Sequence, residues 1–185
     1  MNRKTILDNQ EAREFLKQFK VTNVVAGRGH DCGGLVCFLK LKSKTLVDYH
    51  DDGWGGQPEI RFDDDDARQL LYKKLTDFNY AQKMFDNGWD FMKSPDEIDL
   101  DTQVEDVISA LVNLKNEVSL MRKTKRAFIF GNHFSQSEVA WSKRNLADIP
   151  SPLLQRTYDK YKKELVDGQR FFNTKEQLIS LGINP

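Results

Sequence analysis

His30 and Asp31, then His50, Asp51 and Asp52, bring two imidazoles and three carboxylates into one short stretch of chain. Those donor types suit a divalent metal ion that activates water for hydrolysis. Both groups sit in glycine-rich loops, Gly27-Arg28-Gly29-His30-Asp31-Cys32-Gly33-Gly34 and Asp51-Asp52-Gly53-Trp54-Gly55-Gly56. Seven of the eleven glycines lie between Gly27 and Gly56, with two of the three histidines and both cysteines. A metal site built from His30, Asp31, His50 and Asp51 is therefore one expectation. Against it, polar residues flank glycine turns on solvated loops whatever the function, and this spacing matches no strong ligand motif. No other cofactor is implied.

Two further motifs bear on the same chemistry. Asp48-Tyr49-His50 and Gly131-Asn132-His133 are similar to the Asp-x-His and Gly-Asn-His elements of the calcineurin-like metallophosphoesterases. That resemblance implies a two-metal site, but the family's middle Gly-Asp segment and downstream histidines have no counterpart here. Phe134 follows His133, and no later histidine exists. Gly27-Arg28-Gly29 also offers backbone N–H groups beside a guanidinium, which suits phosphate. Neither loop leads into a helix or has the spacing of a dinucleotide or P-loop site.

Binding surfaces are the other class. Arg122, Lys123, Lys125 and Arg126 form the densest basic run, and Lys160, Lys162 and Lys163 form a second. Such residues contact nucleic-acid phosphates, and Phe128, Phe130 and Trp141 lie near enough in sequence to stack on bases. The alternation around Phe128 and Phe130 equally fits a core strand. Trp54 is harder to place in a core: a large aromatic on a glycine turn is a typical interface anchor, with Arg28, His30, Asp51 and Asp52 setting the charge around it.

These residues need a scaffold. The chain has 185 residues, 39% of them apolar and 11% aromatic, enough for a folded core, and its 28 basic residues balance 28 acidic ones. Zero net charge argues against a global field for nucleic acid or anionic membrane. Two cysteines, Cys32 and Cys37, are too few for a disulfide framework. The N-terminal residues lack the apolar stretch of a signal peptide, and no run is long enough to span a bilayer, so a cytoplasmic protein without membrane contact is expected.

The apolar spacing predicts a short helix over Asn9 to Lys20, then a meander of Val21 to Ala26, Leu35 to Leu41, Thr45 to Tyr49 and Pro58 to Phe62. The Asp63 to Asp66 run precedes a helix and suits its cap, although it also offers a phosphate-like surface to a basic partner. Asp99 to Lys125 reads as the long central helix, with Val104, Val107, Ile108, Leu111, Leu114, Val118 and Met121 as its stripe. Lys125 to Gly131 reads as a later strand, followed by helices over Leu153 to Val166 and Thr174 to Leu181. The expected fold is α+β: a small antiparallel sheet of a meander plus a later strand, packed on the long helix with C-terminal helices, in one domain over residues 1–185.

The order of these elements, with the Asp-Asp-Gly-x-Gly-Gly loop and the tail Arg170-Phe171-Phe172-Asn173-Thr174, resembles small uncharacterised proteins of bacteriophages and mobile elements. The resemblance transfers no catalytic residue. It implies a protein that binds host machinery, such as an inhibitor of a bacterial defence protein or nuclease, with a host protein as partner. The expectation is thus a non-enzymatic interaction protein, ahead of a metal- or nucleotide-dependent hydrolase and of a nucleic-acid binder.

Overall fold

A computed structural model describes residues 5–26, 34–87, 89, 91–131, 136–141, 144–166 and 169–185. The fold is α+β and divides into two compact units, residues 1–114 and 115–185. Each unit has its own core.

Unit 1 opens with the short helix α1, Gln10–Leu16, capped by the Asn9 side chain, which accepts from the Ala12 N–H at 3.0 Å. Four strands follow, β1 (Phe19–Ala26), β2 (Leu35–Leu41), β3 (Lys44–Asp51) and β4 (Glu59–Phe62). They pair in sequence order, each antiparallel to the next, as the alternating pattern predicts. Only Lys42 and Ser43 separate β2 from β3, and Lys42 takes a positive φ of 56°. A non-glycine there carries some strain, since its Cβ crowds the carbonyl.

After the sheet, helix α2 (Asp65–Asp77) begins at Asp64, whose carboxylate accepts from the Ala67 N–H and draws Lys44 to 3.3 Å. The aspartate run is a helix cap, and both contacts hold the Asp64 carboxyl below its ordinary pKa, the backbone bond most strongly. Helices α3 (Tyr80–Asp86) and α4 (Leu100–Lys123) complete the set. Leu16, Leu39, Leu46, Leu71, Leu75, Met84 and Ile108 are fully buried in one cluster. Phe15 stacks on Phe78 with ring centres 4.1 Å apart, joining α1 to the end of α2.

The expected stripe of α4 is buried only in its first half. Val104, Val107, Ile108 and Leu111 are inside, whereas Val118 and Met121 are exposed. The change falls where unit 1 ends.

In unit 2 the later strand does not extend the meander. It is β5 (Ala127–Gly131), the centre of a separate antiparallel sheet between β6 (Gln136–Ala140) and β7 (Arg170–Phe171). Helices α5 (Ser151–Glu164) and α6 (Lys175–Ser180) supply the rest. Phe128 is the hub of this core, meeting Trp141, Tyr158 and Phe171 edge-on at 5.7, 6.2 and 6.1 Å. The aromatics near the basic run are therefore packing residues.

Candidate functional site

The Asp51–Gly56 loop is built by its own carboxylates. Asp51 accepts from the Gly53 N–H at 2.8 Å and Asp52 from the Trp54 N–H at 2.9 Å, two consecutive Asx turns. Gly53 and Gly55 take φ of 73° and 82°, values that a side chain resists. Gly34 lies against the same loop: a Cβ there would stand 2.6 Å from the Asp51 carbonyl oxygen, so glycine permits the close approach. On this fixed turn Trp54 is 64% exposed.

Of the residues expected around it, Asp51, Asp52 and Trp54 are brought together. Arg28, His30, Asp31 and Cys32 lie outside the described residues, as does His133. Cys37, the other cysteine, is buried on β2. The metal reading loses geometry at the residues that are described. His50 and Asp51 are successive residues of β3, so their side chains leave opposite faces of the sheet. His50 is exposed and stands opposite Glu59 and Val36, while Asp51 bends back onto its loop. Among the described residues no group of three or more His, Cys, Asp or Glu is arranged to hold a metal ion.

Within reach of the Asp51 charge is an acidic corner that the sequence pattern does not disclose. Tyr80 is fully buried and donates its hydroxyl to Asp106 at 2.9 Å; Trp89 gives the same carboxylate a second hydrogen bond. Burial raises the Asp106 pKa above its ordinary value, and the two hydrogen bonds oppose the rise. Glu105 is raised first by burial and then by the charges of Asp51, Asp106 and Asp99. Burial likewise pushes the Tyr49 hydroxyl up, reinforced by Glu105 and Asp51. The one clue in the sequence was Asp106 itself, set four residues before the buried Ala110 on an amphipathic helix. Its bonds tie α3 and Trp89 to α4, a structural role.

In unit 2 the basic run forms a concave surface. Arg122, Lys123, Lys125 and Arg126 line a hollow of about 420 Å³ with Ser119 and Asn145. The backbone under these side chains is fixed from inside the unit by Asn173, which is 4% exposed. Asn173 donates to the Thr124 and Ala127 carbonyls, both at 3.0 Å, and accepts from the Ile129 N–H at 2.9 Å. Thr124 closes the helix end by donating to the Met121 carbonyl at 2.9 Å, and the Leu146 N–H donates to the Lys125 carbonyl at 2.9 Å.

The second basic group is different. Lys160 and Lys162 rest over the rings of Tyr161 and Tyr158, and the α5 hollow mixes Arg156, Lys160 and Lys163 with Asp159 and Glu164. Its charge is locally offset.

No family model, curated protein or solved structure matches this chain. Function must be read from the two surfaces. Among the described residues, no helix is long and apolar enough to cross a membrane.

Proposed function

We infer that the protein is a non-catalytic binding protein whose Asp51–Gly56 loop docks on a partner protein with Trp54 as the anchor. The observation that supports this most is a large aromatic, 64% exposed, on a turn locked by two Asx hydrogen bonds and two left-handed glycines. A locked turn loses little entropy on binding, and buried tryptophans carry much of the energy of protein interfaces. Asp51 and Asp52 hold the turn through one carboxylate oxygen each and leave the loop negatively charged. The partner surface that fits is an apolar slot rimmed by Lys and Arg. The resemblance to phage and mobile-element proteins suggests a bacterial host protein, in a defence system or a nuclease.

Affinity capture from a bacterial lysate with the intact protein and with Trp54→Ala tests the reading. A captured protein should be lost with Trp54→Ala, whose affinity drops about 30-fold or more for a central aromatic anchor. Equal capture by both proteins contradicts the role of the loop.

A further inference from the structure

The zero net charge of the chain conceals a division. Unit 1 has 15 Lys and Arg against 21 Asp and Glu, whereas unit 2 has 13 against 7. The global neutrality that argues against polyanion binding therefore does not hold for residues 115–185, whose net charge is +6. Net charge gives attraction without a site. The hollow at the end of α4 supplies one: the described residues that line it are all polar, four of them cationic and none a carboxylate. All four cations are exposed, and among the described residues none is in a salt bridge.

Cations in a last helical turn complement the helix dipole, which accounts for Arg122 and Lys123. It does not account for Lys125 and Arg126, which follow the helix. Their turn is held by the buried Asn173 and by Leu146, so like charges are kept together by hydrogen bonds that the charges themselves do not make. We propose that this surface binds the phosphate backbone of duplex nucleic acid without regard to sequence.

The lining chemistry selects that ligand over its rivals. Single strands are gripped by aromatic rings on which bases stack. Among the described residues no aromatic lines the hollow; Phe128 is buried, and Phe130 lies against Tyr161 and Phe171 at 5.0 and 5.7 Å. A free nucleotide needs an apolar surface for its base, and an anionic bilayer needs apolar side chains to insert between the cations. Among the described residues no apolar side chain lines this hollow, whose carbon surface is the stems of its Lys and Arg. Phosphate contact through flexible, exposed Lys and Arg is what remains, and it carries no base readout.

The test is fluorescence anisotropy of a labelled 20-base-pair DNA duplex of mixed sequence, titrated with the full chain between 50 and 200 mM NaCl. Four phosphate contacts give a log–log salt slope of about −3.6, so affinity should fall about 100-fold across that range. Replacing Arg122, Lys123, Lys125 and Arg126 by Gln should weaken binding at least tenfold at 50 mM and flatten the slope by about 3.6. Replacing Lys160, Lys162 and Lys163 by Gln should change affinity less than about threefold. With the unaltered protein, saturating duplex should protect Lys123 and Lys125 from acetylation, read by mass spectrometry, so the proposal does not depend on a variant folding. Four results overturn it: no duplex binding, equal losses in the two variants, tighter binding to a 20-nucleotide single strand, or binding to phosphatidylserine vesicles in place of duplex. Trp54 takes no part, so failure here leaves the loop reading standing.

Discussion

The exposed turns of the two units solve the same problem in opposite ways. In unit 1 the charged side chains of the turn, Asp51 and Asp52, are the groups that hold its backbone. In unit 2 a buried residue distant in sequence, Asn173, holds the backbone, and Arg122, Lys123, Lys125 and Arg126 are left to solvent. A side chain engaged in shaping a loop is a positioning group. One whose backbone is held by something else is available to a ligand. The contrast moves the weight of the first site from its aspartates to Trp54, and gives the second site four residues of similar standing.

The largest expected effect comes from removing the scaffold of unit 2. Asn173→Leu leaves two carbonyls and one N–H unsatisfied in a buried place and should cost about 3–5 kcal/mol. A core of 71 residues has little margin for that loss. Urea unfolding followed by circular dichroism should show an early transition of unit 2 with the transition of unit 1 retained. A single shifted transition would show that the units unfold together and would erase the comparison at the level of stability.

Next is the scaffold of the other turn. Gly34→Ala places a Cβ against the Asp51 carbonyl, a backbone atom that moves only with the loop, and should cost about 1–3 kcal/mol. Urea melts check it. An unchanged midpoint would mean that the two segments separate freely.

A smaller effect is expected with pH. The Asp106 pKa is higher in the folded protein than in the unfolded chain, so the folded state holds the extra proton and this group's contribution to stability declines as pH rises from about 4 through the raised pKa. Asp106→Asn removes that dependence while keeping an acceptor for Tyr80. The stability difference between variant and parent should therefore move in favour of the variant as pH increases from 4 to 7, read from melting temperatures at each pH. A constant difference contradicts the assigned shift. The smallest effect belongs to Trp54→Ala, expected to change stability by no more than about 0.5–1 kcal/mol because the ring is mostly exposed.

Much of the fold was legible where local pattern decides it. The hairpin of β2 and β3, the aspartate cap of α2 and the long helix α4 follow from alternation, capping chemistry and helical spacing. Helix α3 was not legible, being seven residues entered from Asn79 at a positive φ. Strand β6 was missed because Gln136-Ser137-Glu138-Val139-Ala140 lacks an apolar alternation, and β7 because two residues carry no period. The separation of β5 from the meander depends on those two strands, so it was hidden with them. At the sites, the glycine loop and the basic run were both visible. Asn173 was not, since its partners lie 44 to 49 residues away and nothing local marks them. The charge division was readable residue by residue, but only the boundary near Leu114 makes it meaningful.

On the two proposals, an aromatic surface on the acidic unit and a cationic surface on the basic unit recognise their ligands separately. The most direct test is the salt dependence of 20-base-pair duplex binding by Trp54→Ala and by the Arg122, Lys123, Lys125 and Arg126 to Gln variant, in one anisotropy series. Trp54→Ala should match the parent within about twofold, and the four-residue variant should lose at least tenfold in affinity and about 3.6 in slope. Similar losses in both proteins would contradict that separation.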